Sequence, residues 1–141
     1  MSLDYYIDSS IQTSDNEKWM LLFDLYSKKS KFVEFNIRTI NTDFKKILSQ
    51  FNNDIISMGE IKTRIHSGGN SIRFENSKEM IAFIKTKEYS FWNKFCIADI
   101  SLYENDKEIL ACNNHDSLIY ILASKDVIES LNNKGFEFKK K

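Results

Sequence analysis

Phe32-Val33-Glu34-Phe35-Asn36-Ile37-Arg38-Thr39-Ile40 alternates apolar and polar side chains, and the stretch after it, Thr42-Asp43-Phe44-Lys45-Lys46-Ile47-Leu48-Ser49-Gln50-Phe51, changes to a helical spacing. In the first, Val33, Phe35, Ile37 and Thr39 fall on one face and Glu34, Asn36, Arg38 and Ile40 on the other, the period of a half-buried strand. In the second, Thr42 stands at a capping position, and Phe44, Ile47, Leu48, Phe51, Ile55 and Met58 form a single stripe. Gly59 then follows as a suitable C′ residue, so the pattern predicts one long amphipathic helix. A half-buried strand feeding such a helix calls for a sheet with helices laid on it.

The flanking chain fits that scheme. Leu3 to Ile11 is rich in aromatic and β-branched residues and reads as a first strand. The polar cluster Thr13-Ser14-Asp15-Asn16 supplies caps for a helix whose buried stripe is Trp19, Met20, Leu22, Phe23 and Tyr26. Glu60 to His66 and Ser71 to Glu75 alternate again across Ser67-Gly68-Gly69-Asn70, a hairpin reading. Asn76 with Glu79 resembles a capping box for a helix carrying Met80, Phe83 and Ile84. Phe95 to Tyr103 and Ile109 to Ala123 read as largely covered strands, joined by the turn Glu104-Asn105-Asp106-Lys107 and split by a second turn at Asn113-Asn114-His115-Asp116. Ser124 caps a last helix with Val127, Ile128 and Leu131, ended by Gly135, and Phe136 to Lys141 forms a short strand or a basic tail. Tight turns between neighbouring strands, with no regular βαβ rhythm, predict a single α+β domain spanning residues 1–141, a mostly antiparallel sheet packed with about four helices.

Composition narrows the classes. With 42% hydrophobic and 13% aromatic residues in 141, the chain has enough apolar material for one core, and the disordered class is excluded. Twenty basic residues balance twenty acidic ones, so no global field draws the protein to a polyanion, and nucleic acid is an unlikely partner. No stretch reaches the roughly 20 apolar residues of a membrane span, and Met1-Ser2-Leu3-Asp4 opens without the basic and apolar regions of a signal peptide; the expectation is a cytoplasmic protein with no membrane partner. Lysine greatly outnumbers arginine, isoleucine and asparagine are abundant, and proline is absent. That bias matches an AT-rich bacterial or phage genome.

The chemistry-bearing residues are sparse. Gly68-Gly69 lacks the spacing and the following helix of a phosphate cradle. Cys112 and His115 share a C-x-x-H spacing without its second half, so no metal or other cofactor is expected, and two cysteines, Cys96 and Cys112, make no disulfide framework. Cys112, His115, Asp116 and Ser117 cluster in sequence, but neighbours on a strand face opposite ways, and a polar turn between strands accounts for them. His66 reads as a strand residue on a polar face. The strand readings place Arg38, Arg64 and Arg73, the only arginines, on polar faces that one sheet could share, together with Lys62 and His66. Such a cluster is either a solvated face or a recognition patch, because guanidinium groups bind carboxylate and phosphate bidentately.

The segment from Phe91-Trp92-Asn93-Lys94-Phe95 through Ser101-Leu102-Tyr103-Glu104-Asn105-Asp106-Lys107-Glu108-Ile109-Leu110 to His115 and Ile119-Tyr120-Ile121 resembles the C-terminal half of small bacterial immunity proteins. These neutralise toxin domains of contact-dependent growth inhibition and related polymorphic toxin systems. The resemblance implies a non-catalytic partner of a cognate protein toxin domain, working by electrostatic and shape complementarity. It carries over no site residue. Inhibitors of nucleases often present an acidic face, so in this neutral chain the acidic candidates are local: Asp99, Glu104, Asp106 and Glu108, or Asp4, Asp8, Asp15 and Glu17 near the N-terminus. Against them stand Arg38, Arg64 and Arg73. The alternatives are a nucleic-acid or phosphate-binding module using the arginine face, and a small enzyme built around Cys112, His115 and Asp116.

Overall fold

The computed structural model describes residues 3–8, 16–60 and 69–141, residue 60 by its backbone alone. In chain order the elements are β1 (Tyr5–Asp8), α1 (Asn16–Ser27), β2 (Phe32–Ile37), α2 (Thr42–Gln50), a 3₁₀ turn (Asn52–Asp54), β3 (Ile55–Glu60), β4 (Asn70–Glu75), α3 (Lys78–Lys85), a π-helix (Phe91–Cys96), β5 (Ala98–Glu104), β6 (Lys107–Asn113), β7 (Leu118–Ile121), α4 (Lys125–Asn133) and β8 (Lys139–Lys140). The eight strands form one sheet in the order β3-β4-β2-β5-β6-β7-β1-β8. Every neighbouring pair is antiparallel. The architecture is the α+β one that the patterning predicts.

Period two sorts the sheet into two faces. Phe74, Val33, Leu102, Leu110, Ile121 and Tyr5 lie in one cross-strand row, and Ile72, Phe35 and Ile100 in the next. These residues join Trp19, Phe23, Phe44, Ile47, Met80, Ile84, Trp92, Ile128 and Leu131 from the helices in a single buried cluster. Phe35 is its centre: its ring lies 5.4 Å from Phe44, 5.7 Å from Phe74 and 5.4 Å from Trp92. The reverse face carries the row Ser57–Arg73–Glu34–Ser101–Ala111–Tyr120–Tyr6–Lys139.

Helix starts follow local chemistry. Asn41, Ser77 and Ser124 each accept a hydrogen bond on the side-chain oxygen from the amide three residues on, at 2.8, 3.1 and 3.3 Å. The caps of α2 and α3 therefore sit one residue from the expected Thr42 and Asn76. Asn76 instead donates to Ser30 Oγ at 3.2 Å, tying the end of β4 to the loop before β2.

Three elements depart from the patterning. The long helix ends at Gln50, and Ile55 and Met58 belong to β3. Asn52, Asn53 and Asp54 carry side chains that compete for backbone hydrogen bonds, and the adjacent β-branched Ile55 and Ile56 favour an extended chain that β4 is there to pair. The hairpin's first strand accordingly begins at Ile55, and the proposed strand positions 61–66 lie outside the described residues. β5 begins at Ala98 rather than Phe95, because Phe91–Cys96 winds into a π-helix that buries Trp92 and Cys96. Cys96 thus sits in a helix, not a strand. Finally, β2 stops at Ile37, and both of its faces are buried: Glu34 is 8% exposed and Asn36 4%.

Candidate functional site

Three regions hold the sequence candidates, and the strands separate them. Strand β5 runs from Ala98 beside Ile37 to Glu104 beyond the Phe32–Tyr103 pair, so the two ends of the sheet stand about 20 Å apart at ~3.4 Å per residue. Arg38 marks one end. Glu104 and Asp106, exposed on the β5–β6 turn where Asn105 takes φ 54°, mark the other.

On the reverse face, Arg73 is engaged within the protein. Its guanidinium carbon lies 4.3 Å from the Tyr103 ring centroid and 5.4 Å from that of Phe32, and Nε is 3.8 Å from Glu34 Oε1. Ser71 donates its hydroxyl to the same Glu34 oxygen. Asn36 Nδ2 donates to Ser101 Oγ at 3.4 Å, and Tyr103 donates to Glu108 Oε2 at 3.4 Å. Burial, and then the nearby Glu108 and Glu34 carboxylates, push the Tyr103 phenol far up, which keeps it a donor. This arrangement aligns a buried carboxylate with a stacked arginine and stiffens the middle of the sheet. Asp99 is also spent locally: it accepts from the Asn114 amide at 2.9 Å and holds the β6–β7 turn.

Of the three arginines, two are described. Arg73 lies in the reverse-face network, Arg38 is exposed one residue past the end of β2, and Arg64 lies outside the described residues, as do Lys62 and His66. Cys112, His115 and Asp116 do not assemble. Cys112 is 2% exposed and desolvation pushes its thiol well up, while His115 is exposed on the turn, with Nδ1 3.0 Å from Asp116 Oδ1. The Cys96 thiol is pushed up to about 12 by burial and by the Asp43 carboxylate. Neither thiol is a nucleophile near neutral pH. Among the described residues no group of three His, Cys, Asp or Glu is placed to hold a metal ion, and no helix is long and apolar enough to cross a membrane.

The end of the sheet at Arg38 has features that the patterning misses. The π-helix closes at Ile97, whose backbone sits at φ 51°, ψ 51° while its amide donates to Trp92 O. A β-branched residue in this left-handed region is a true outlier, costing on the order of 1–3 kcal/mol. The strain does not serve burial: Ile97 is 59% exposed and Phe95 65%. Asn41 holds the backbone there with its amide, Nδ2 donating to Phe95 O at 3.3 Å and Cys96 O at 3.0 Å, while its Oδ1 caps α2. Since Ile37 pairs with Ala98, the next residues outward, Arg38 and Ile97, adjoin one another just beyond the last pair of β2 and β5. On the other side of Arg38 lies Gly69 at φ 86°, where an added Cβ would meet Ile37 O at 2.5 Å and Arg38 Cα at 2.8 Å; only glycine fits. An apolar pair, Phe95 and Ile97, is thus held outward on clamped backbone beside the exposed cations Arg38 and Lys94. Reading 95–103 as strand hid it.

The chain matches no protein-family model, and no curated protein or solved structure matches it at a significant level.

Proposed function

We propose that this chain is a non-catalytic immunity protein that binds a cognate bacterial toxin domain in the cytoplasm and neutralises it. The observation that carries the reading is the pair Phe95 and Ile97, displayed to solvent on a strained and clamped backbone. Exposed aromatic and aliphatic side chains on rigid backbone are what an interface anchor requires, because little entropy remains to be lost on docking. The segment from Phe91 to Ile121, which resembles the C-terminal half of immunity proteins, contains this projection and the strands β5, β6 and β7 that carry it. Arg73, committed to Glu34 and Tyr103, offers a poor phosphate contact, and Glu34 and Glu108 on the same face oppose a polyanion.

Neutralising a lethal enzyme at low cellular concentration takes a nanomolar or tighter dissociation constant, about −12 kcal/mol. The test is expression of the toxin domain encoded beside this chain's gene, with and without the chain, together with calorimetry on the purified pair. Survival only with the chain, and a one-to-one complex, support the proposal. Equal killing in both cells and no heat of binding sink it.

A further inference from the structure

We infer that the partner receives Phe95 and Ile97 in an apolar pocket whose rim is lined by carboxylates; this rests on the toxin-binding reading above. The side chains at this end of the sheet state the chemistry. Phe95 and Ile97 are the two most exposed large apolar residues among those described, and both sit within three residues of one another on one clamped turn. They are flanked by positive charge that reaches solvent, Lys94 from the π-helix and Arg38 from the end of β2. Two described acids near this end are engaged locally: Asp43 is half-buried with its charge felt at the Cys96 thiol, and Asp99 accepts from the Asn114 amide. Among the described residues, the local surface is therefore apolar at its centre and cationic at its margin, although the chain as a whole is neutral.

A site with that profile favours the complementary one: a hydrophobic recess to take the ring and the isoleucine, with acidic groups around it to meet Arg38 and Lys94. The division of labour follows from general interface physics. Rim charges govern how fast partners meet and how salt slows them, and a desolvated central anchor governs how slowly they part. The acidic turn at Glu104 and Asp106, about 20 Å away along β5, lies outside such a contact.

The experiment is stopped-flow and surface-capture kinetics of the purified toxin domain from the neighbouring gene against four forms of this chain: wild type, Arg38→Glu/Lys94→Glu, Phe95→Ala, and Glu104→Lys/Asp106→Lys. Unfolding midpoints close to wild type show that each exposed-site variant is folded. The charge-reversed Arg38/Lys94 form should associate about tenfold or more slowly at low salt, and added salt should no longer slow its association. Phe95→Ala should dissociate about thirtyfold faster with little change in association. The Glu104/Asp106 form should behave as wild type. A wild-type complex whose kinetics ignore Arg38, Lys94 and Phe95, or respond instead to Glu104 and Asp106, overturns the inference and leaves the toxin-binding reading standing. No complex with wild type removes both.

Discussion

Ile97 offers a direct check on whether the backbone of the projection is held as described. Its φ of 51° places the Cβ against the following carbonyl, a clash worth roughly 1–2 kcal/mol for any residue with a Cβ. Truncating Ile97 to alanine or to glycine removes the same apolar contacts, so comparing the two variants isolates the Cβ. Glycine escapes the clash but gains unfolded-state freedom worth roughly 0.5–1 kcal/mol. The difference leaves Ile97→Gly more stable than Ile97→Ala by about 0.5–1 kcal/mol. At a strand or helix position with ordinary φ the sign would be reversed. Urea midpoints with a shared m-value give the cleanest readout, since the corresponding melting shift is only about 2–3 °C in a chain of this size. Ile97→Asn should fall between them, because asparagine tolerates the left-handed region. If the alanine variant equals or exceeds the glycine variant, Ile97 is not left-handed in solution, and the strained display of the projection is wrong.

Asn41→Ala should cost about 2 kcal/mol, the α2 cap plus the bonds to Phe95 and Cys96, whereas Asn41→Asp keeps the cap, loses the Nδ2 donor and should cost about 1 kcal/mol. Amide exchange at Phe44 should stay slow in the aspartate form and speed up in the alanine form; equal exchange in both would deny Asn41 its double role. Arg73→Met should destabilise by about 2 kcal/mol by leaving the Glu34 carboxylate buried without its cation, and Glu34→Gln in the same chain should recover much of that loss. Strict additivity in the double-mutant cycle would show that Arg73 and Glu34 are not coupled. Both thiols are raised by burial, Cys96 to about 12, so at pH 8 neither should react with a thiol reagent in the folded protein, and both should react together as the chain unfolds. A thiol that labels rapidly before unfolding would refute the burial of that cysteine.

Much of the fold was open to sequence reasoning because its causes are local. Glu104-Asn105-Asp106-Lys107 holds the residue types a tight turn needs, and the structure turns there between β5 and β6. Ser124 and Gly135 bracket α4 as their cap chemistries dictate, with Gly135 at φ 97°. Trp19, Leu22, Phe23 and Tyr26 repeat at helical spacing, and all four are buried in α1. The end of α2 failed because a helical stripe through Phe51, Ile55 and Met58 is also consistent with a helix that stops and a strand that starts. Only the pairing of β3 with β4 chose between them.

The site was less legible than the fold. Alternation placed Glu34, Asn36, Arg38 and Arg73 together on a polar face, and the register bears this out for Glu34 and Arg73. It could not say that Glu34 is buried, that Arg73 stacks on Tyr103 from a strand two places away in the sheet, or that Arg38 emerges past the strand end beside Ile97. Those facts depend on strand order β4-β2-β5, which joins residues 73, 34 and 101 across long stretches of chain. By itself the sequence determined the type of most elements, the turns, the caps to within a residue and the neutral charge, all properties of a residue and its near neighbours. The tertiary structure alone decided which polar groups are consumed in the sheet and which apolar ones are left outside, because burial and pairing are properties of the assembled sheet, and no short window of sequence contains its partners.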